Sequence, residues 1–118
     1  MAQPAGFVLI LEDDFAIAWD TYEMLLEAGV DVLEPVADNA AAIRLIANTN
    51  LRFCLLDYNL GRDTSAPTAQ ALAERNIPFA YLTGQPLAVR NASKTSYAKI
   101  LAKPVAPSDI IALLDAVA

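Results

Sequence analysis

Four short apolar runs in this chain each stop at a polar side chain. FVLIL runs into Glu12, Asp13 and Asp14; RFCLL ends at Asp57; FAYL ends at Thr83; KILA ends at Lys103, followed by Pro104. Short apolar runs separated by helix-length stretches are the pattern of parallel strands buried on both faces. Helices must then cover the sheet on either side. In an open parallel sheet the ligand crevice lies outside the carboxyl ends of the strands. The pattern therefore predicts that acids, a hydroxyl and an ammonium, far apart in sequence, converge at one edge.

Composition agrees with that architecture. The 118 residues fit a single domain over 1–118. The hydrophobic share of 56% exceeds the roughly 45–50% usual for soluble chains. A sheet covered on both faces accounts for the excess without a membrane. No apolar run approaches the roughly 20 residues of a spanning helix. The opening MAQPAGFVLILEDD lacks the basic region of a signal peptide, so the chain reads as cytoplasmic and free of membrane.

A net charge of −6 argues against a nucleic-acid partner. Lys94, Lys99 and Lys103 fall close together, but three cations are too few to reverse that balance. Cys54 sits inside RFCLL and reads as a core residue. A single cysteine forms no internal disulfide, which fits a reducing compartment. With no histidine present, zinc-type clusters, His-based triads and self-phosphorylation on histidine are excluded.

The chain alternates strand and helix patterns five times. Strand one is predicted over Phe7 to Leu11, followed by a helix from Asp14 to Ala28. Ile17, Thr21, Leu25 and Ala28 form its stripe, and Gly29 is its stop. DVLEPVA is a second strand, placed at the sheet edge by Pro35. Asp38 or Asn39 caps a second helix through Ile43, Ile46 and Ala47. Strand three covers Arg52 to Leu56; the loop YNLGRDTSAP leads to a short helix over Thr68 to Glu74. Strand four is IPFAYL. The weakly patterned GQPLAVRNASKTSY allows only a short or irregular helix before strand five at Ala98 to Ala102. Pro107 opens a last helix, with Asp109 near its positive end and apolar residues from Ile110 to Val117. Right-handed crossovers then give an α/β doubly wound parallel sheet of flavodoxin-like (βα)5 type, strand order 2-1-3-4-5. That order makes strands one and three neighbours, and with them Asp13 and Asp57.

These residue types permit one coherent chemistry. Carboxylates with a backbone carbonyl form an oxygen-ligand site for Mg²⁺. A carboxylate can attack phosphorus to give an acyl phosphate. Metal, ammonium and hydroxyl can neutralise charge on the equatorial phosphoryl oxygens.

LILEDD, CLLDYNL, AYLTG and LAKP, in this order, resemble the receiver domain of bacterial two-component response regulators across essentially the whole chain. The resemblance implies that Asp57 is the phospho-acceptor, with Asp13 on Mg²⁺ directly and Glu12 through water. It makes the Asn59 backbone carbonyl a further metal ligand, Thr83 a hydrogen-bond donor to the phosphoryl group and Lys103 its ion-pair partner, with a cis Lys103–Pro104 bond. A histidine kinase or histidine phosphotransferase supplies the phosphoryl group, and an unidentified target protein reads the result. No output domain is expected. The domain is not an enzyme in the ordinary sense, since it catalyses only its own phosphorylation and dephosphorylation.

A finer likeness links LLDYNLGRDTSAPTAQAL and NIPFAYLTG to stand-alone receivers whose fourth strand reads F-x-T-G-Y. In that subgroup Gly61 stands where most receivers have proline. Gln85 departs from the aromatic that commonly follows TG. Ile100 stands three residues before Lys103, where most receivers carry the aromatic that reports phosphorylation, and Tyr97 is out of register with it. Two other readings remain. An unphosphorylated receiver-like binding module is favoured by Ile100. A haloacid-dehalogenase-like phosphatase is disfavoured, because Asp57 opens D-Y-N-L-G rather than D-x-D-x-[TV]. Trp19, Tyr22 and Met24 lie at or beyond the edge of the first helix stripe, as core edge or docking patch. The last helix is apolar over more than one stripe, a surplus that a partner or a homodimer can cover.

Overall fold

The apolar runs become strands whose side chains are mostly buried, with Phe7, Lys99 and Ala102 exposed. The computed structural model describes residues 6–92 and 99–116; Lys94, Tyr97, Ala98 and Val117 lie outside the described residues. β1 (Phe7–Leu11), β2 (Leu51–Asp57), β5 (Phe79–Thr83) and β6 (Lys99–Ala102) form a parallel sheet in the order β1-β2-β5-β6. Two further strands, β3 (Asn59–Leu60) and β4 (Asp63–Thr64), form a separate antiparallel hairpin. Alternate strand residues feed two cores. Leu9, Leu11, Cys54, Leu56, Phe79 and Tyr81 meet residues of α2 (Asn39–Asn48), α3 (Ala66–Glu74) and α4 (Pro86–Ala92) on one face. Val8, Ile10, Phe53, Leu55, Ala80 and Leu82 meet α1 (Phe15–Glu27) and α5 (Pro107–Ala116) on the other. The doubly wound architecture follows from this period of two.

The expected second strand is the main departure. Residues 31–36 run parallel to β1 on the edge away from β2, but they join it only through the isolated bridges Val8↔Val32 and Leu11↔Val36. Leu33 N donates to Val8 O and Val36 N to Ile10 O, both at 3.0 Å. Between those donors stands Pro35, which has no N–H to give, so the ladder is interrupted. The lateral order is still the predicted one, with this segment outside β1.

Helix ends follow their caps more closely than their stripes follow the predicted pattern. Asp14 accepts from Ile17 N at 3.1 Å and so starts α1 at Phe15. Gly29, at φ +81°, ends it in the left-handed region, with Val30 N bonded to Leu25 O. The buried face is Ala18 and Leu25, with Tyr22 and Met24 packed beside them; Ile17 and Ala28 are exposed. The stripe is therefore rotated by one residue from the predicted one. Asp38, not Asn39, caps α2 by accepting from Ala41 N at 2.8 Å. Ala42 and Ile46 are buried there, whereas Ile43 and Ala47 are exposed. α3 starts at Ala66, earlier than Thr68, with Pro67 in its first turn. In α5, Ile110 and Leu114 are buried and Ile111 and Leu113 pack on the same core. The wide apolar face among the described residues of that helix is thus used within the chain.

Candidate functional site

The strand ends line up because the registers do. Leu11 is level with Leu56, Asp57 with Leu82, and Thr83 with Ala102. Glu12, Asp57, Thr83 and Lys103 consequently emerge at one edge. Glu12 N donates to Val36 O at 3.0 Å, which fixes the main chain where the acids begin. The Glu12 side chain is buried, and its Oε2 accepts from Asp14 N at 3.3 Å. Asp57 is also buried, and Asp13 is exposed.

Lys103 reaches between two of these acids. Its Nζ lies 3.1 Å from Glu12 Oε1 and 3.2 Å from Asp57 Oδ1. Carboxylate oxygens of Glu12, Asp13 and Asp57 all lie within 4.8 Å of one another. Three acids this close repel unless a proton or a cation intervenes. Burial pushes the Glu12 carboxyl up to about 7, and its contact with Asp57 acts in the same direction, against the Asp14 amide and Lys103. For Lys103, burial lowers the pKa, but the hydrogen bond and charge of Glu12 and the charge of Asp57 outweigh it; the result is raised. Lys103 is therefore a permanent cation at neutral pH, and it leaves the cluster with surplus negative charge. Hard oxygen donors crowded in this way suit a hard divalent cation such as Mg²⁺.

The remaining predicted residues sit around that cluster. Thr83 is buried at the end of β5, and its carbonyl accepts from Lys103 N at 2.8 Å. Its Oγ1 accepts from Gln85 N at 3.0 Å, which leaves the hydroxyl proton to be donated elsewhere. A Cβ placed on Gly84 would meet nothing within 4 Å, so the space above that turn is open. Asn59 lies in β3, paired with Thr64. The Lys103–Pro104 peptide is cis. Ile100 is half-buried and level with Tyr81, which stacks edge-to-face with Tyr58 at 5.2 Å and Phe79 at 5.6 Å. At this level the aromatic side chain is on β5 rather than β6.

The β3–β4 hairpin was not predicted, although its signal was in the sequence. Leu60 pairs with Asp63 across Gly61 and Arg62, and Gly61 has φ +72°. Glycine at the first central position is the signature of a type II′ hairpin turn. A Cβ on Gly61 would come within 4.0 Å of Asp13 Oδ2, so this turn flanks the acids.

No protein-family model matches the sequence, and no curated protein matches it. Solved structures do. The receiver domain of the sensor histidine kinase PA1611 from Pseudomonas aeruginosa PAO1 superposes with a TM-score of 0.82 at 21% identity, covering 96% of this chain and 97% of that one. The fold is that of a response-regulator receiver domain. A receiver protein from Sinorhizobium medicae WSM419 gives 0.83 at 20% identity over 96% of this chain and 94% of its own. The Vibrio cholerae chemotaxis protein CheY4 gives 0.82 at 21% identity over 98% and 100%. The Pseudomonas receiver holds a magnesium ion coordinated in its active-site cleft. Within the receiver fold, the carboxylate cluster of this chain occupies the carboxyl edge of the parallel sheet.

Proposed function

We propose that this chain is a phosphoryl-accepting receiver in which Asp57 takes a phosphoryl group from phosphohistidine on a kinase or phosphotransferase. The observation that carries this reading is the convergence of Asp57, Glu12, Asp13 and Lys103 at one sheet edge. An Asp57 carboxylate oxygen attacks phosphorus, the P–N bond breaks, and the donor imidazole leaves with the electron pair. The product is an acyl phosphate on Asp57.

Glu12, Asp13 and Asp57, with the Asn59 carbonyl, are the candidates to hold Mg²⁺. When bound, the ion neutralises charge on the transferring phosphoryl group. Lys103 already touches an Asp57 oxygen, and a small swing carries its ammonium onto a phosphoryl oxygen. Thr83 accepts the Gln85 amide and donates its own proton to a second phosphoryl oxygen. Gln85 and Asn59 are exposed at the rim, where they govern how water reaches the acyl phosphate during reset. Phosphorylation biases the Thr83 turn and the segment after it toward the state that a partner reads.

The donor's docking surface lies beside the acids. Phe15 is 75% exposed at the first position of α1, with its ring tilted against Trp19 at 5.7 Å. An apolar surface of this kind suits protein contact.

Transfer from a phosphorylated histidine phosphotransferase tests the reading. Label should move to the wild-type protein with Mg²⁺ and fail to move to Asp57→Asn. Equal labelling of both proteins excludes Asp57 as acceptor. The unphosphorylated binding module is the second reading, favoured by Ile100 in place of an aromatic; it predicts no transfer from any donor.

A further inference from the structure

We infer that Asn39 is a positioning residue for the site: its carboxamide ties the start of α2 to the β3–β4 hairpin and so holds the Asn59 main chain at the rim of the acid cluster. The inference rests on the reading of the Asn59 carbonyl as a metal ligand. The hairpin has two residue pairs, Asn59↔Thr64 and Leu60↔Asp63. A ribbon that short is not stable alone in water, so something outside it must hold it.

Leu60 packs against the core, and two hydrogen-bonded supports are present besides. Ser65 N donates to Tyr58 O at 2.9 Å and closes the base of the hairpin. Asn39 Nδ2 donates to Thr64 O at 2.9 Å, on the residue paired directly with Asn59. The other end of the carboxamide is fixed as well, because Asn39 Oδ1 accepts from Thr68 Oγ1 at 2.6 Å, and Thr68 is fully buried. One side chain thus joins α2, the hairpin and α3.

The same short segment also reaches the acids. Val36 O accepts from Glu12 N, Asp38 caps α2, and Asn39 follows at once. Residues 36–39 thus add a second connection, beside the β1–β2 ladder, between the main chain at Glu12 and the hairpin that carries Asn59. The donor–acceptor pattern requires a carboxamide. Aspartate has the same shape but would turn an acceptor toward Thr64 O, and alanine removes both bonds.

The test uses the full chain at a temperature where circular dichroism shows each variant folded. Amide hydrogen exchange is followed without metal, and Mg²⁺ affinity by calorimetry. Asn39→Ala and Asn39→Asp should speed exchange across residues 59–64 while β1 and β2 stay protected. Both should weaken Mg²⁺ binding roughly tenfold, the lower end of the effect of losing a group that orients a metal ligand. Thr68→Val, which keeps the Thr64 bond, should give a smaller change of the same kind and serves if an Asn39 variant does not fold. Unchanged hairpin exchange overturns the inference. So does a loosened hairpin with unchanged Mg²⁺ affinity, since the role is then structural alone. A wild-type protein that binds no Mg²⁺ sinks the proposed function instead, and hairpin exchange then decides whether Asn39 holds the hairpin.

Discussion

Lys103 is the residue on which the electrostatics of the site turn. It is partly exposed, yet it contacts two buried carboxylates at 3.1 and 3.2 Å. A divalent cation held by Glu12, Asp13 and Asp57 would share two of its carboxylates with this ammonium, so the two cations would compete. Lys103→Met should therefore bind Mg²⁺ more tightly, by roughly tenfold, well within the ~4 kcal/mol that unit charges exchange at contact near a protein surface. Phosphoryl transfer to the same variant should be slower, because one neutralising charge is lost from the transition state. Titration and transfer rate should thus move in opposite senses; weaker Mg²⁺ binding would contradict the ion-pair account. Cys54 behaves differently. Burial pushes its thiol up to about 12, which makes it an inert core side chain.

Among the elements, the caps separate roles that the sequence leaves side by side. Asp14 is one residue from the acid cluster but belongs to α1, whose Ile17 amide it accepts. Asp14→Ala should cost about 1 kcal/mol of stability by thermal or denaturant unfolding, with phosphorylation retained; loss of phosphorylation in a folded variant would make Asp14 part of the site. Gly61→Ala should cost a similar amount, roughly 1 kcal/mol, since its φ of +72° strains a residue with a Cβ. The strands and caps were legible because each rests on local chemistry: an apolar run, an acid before a helix, a glycine after one. The convergence of the candidate site residues was legible for the same reason, since Asp57 and Thr83 end strands, Glu12 and Lys103 follow them directly, and the order of strands brings those ends together. Other features depend on contacts between distant segments. The buried face of α1 is chosen by what it packs on, the sheet residues Val8, Ile10 and Phe53 and Ile110 of α5, and Pro35 removed a donor that only a ladder with β1 reveals. The bond from Asn39 to Thr64 spans a separation of 25 residues and leaves no periodic trace.

At the scale of the whole molecule, folding stability and the charge of the site are linked. Glu12 rises from 4.5 to about 7 on folding, so the folded state binds its proton more tightly than the unfolded chain does. Its contribution is fully present below about 4.5 and is lost as pH rises through about 7. Metal-free wild type should thus lose stability across that window, while Glu12→Gln should show a flatter profile in chelator-containing buffer. A wild-type profile that falls no more steeply than the variant's across the window would contradict this. No helix among the described residues is long and apolar enough to cross a membrane. The sheet carries its polar strand ends to a single edge, and the proposed chemistry is concentrated there.

That claim is tested most directly by intact mass after incubation with Mg²⁺ and a small phosphodonor such as acetyl phosphate. The account predicts one phosphoryl adduct on wild type that is labile to base, depends on Mg²⁺ and is missing from Asp57→Asn. An adduct that persists in Asp57→Asn, or a wild-type protein that takes up none under any donor, would contradict it.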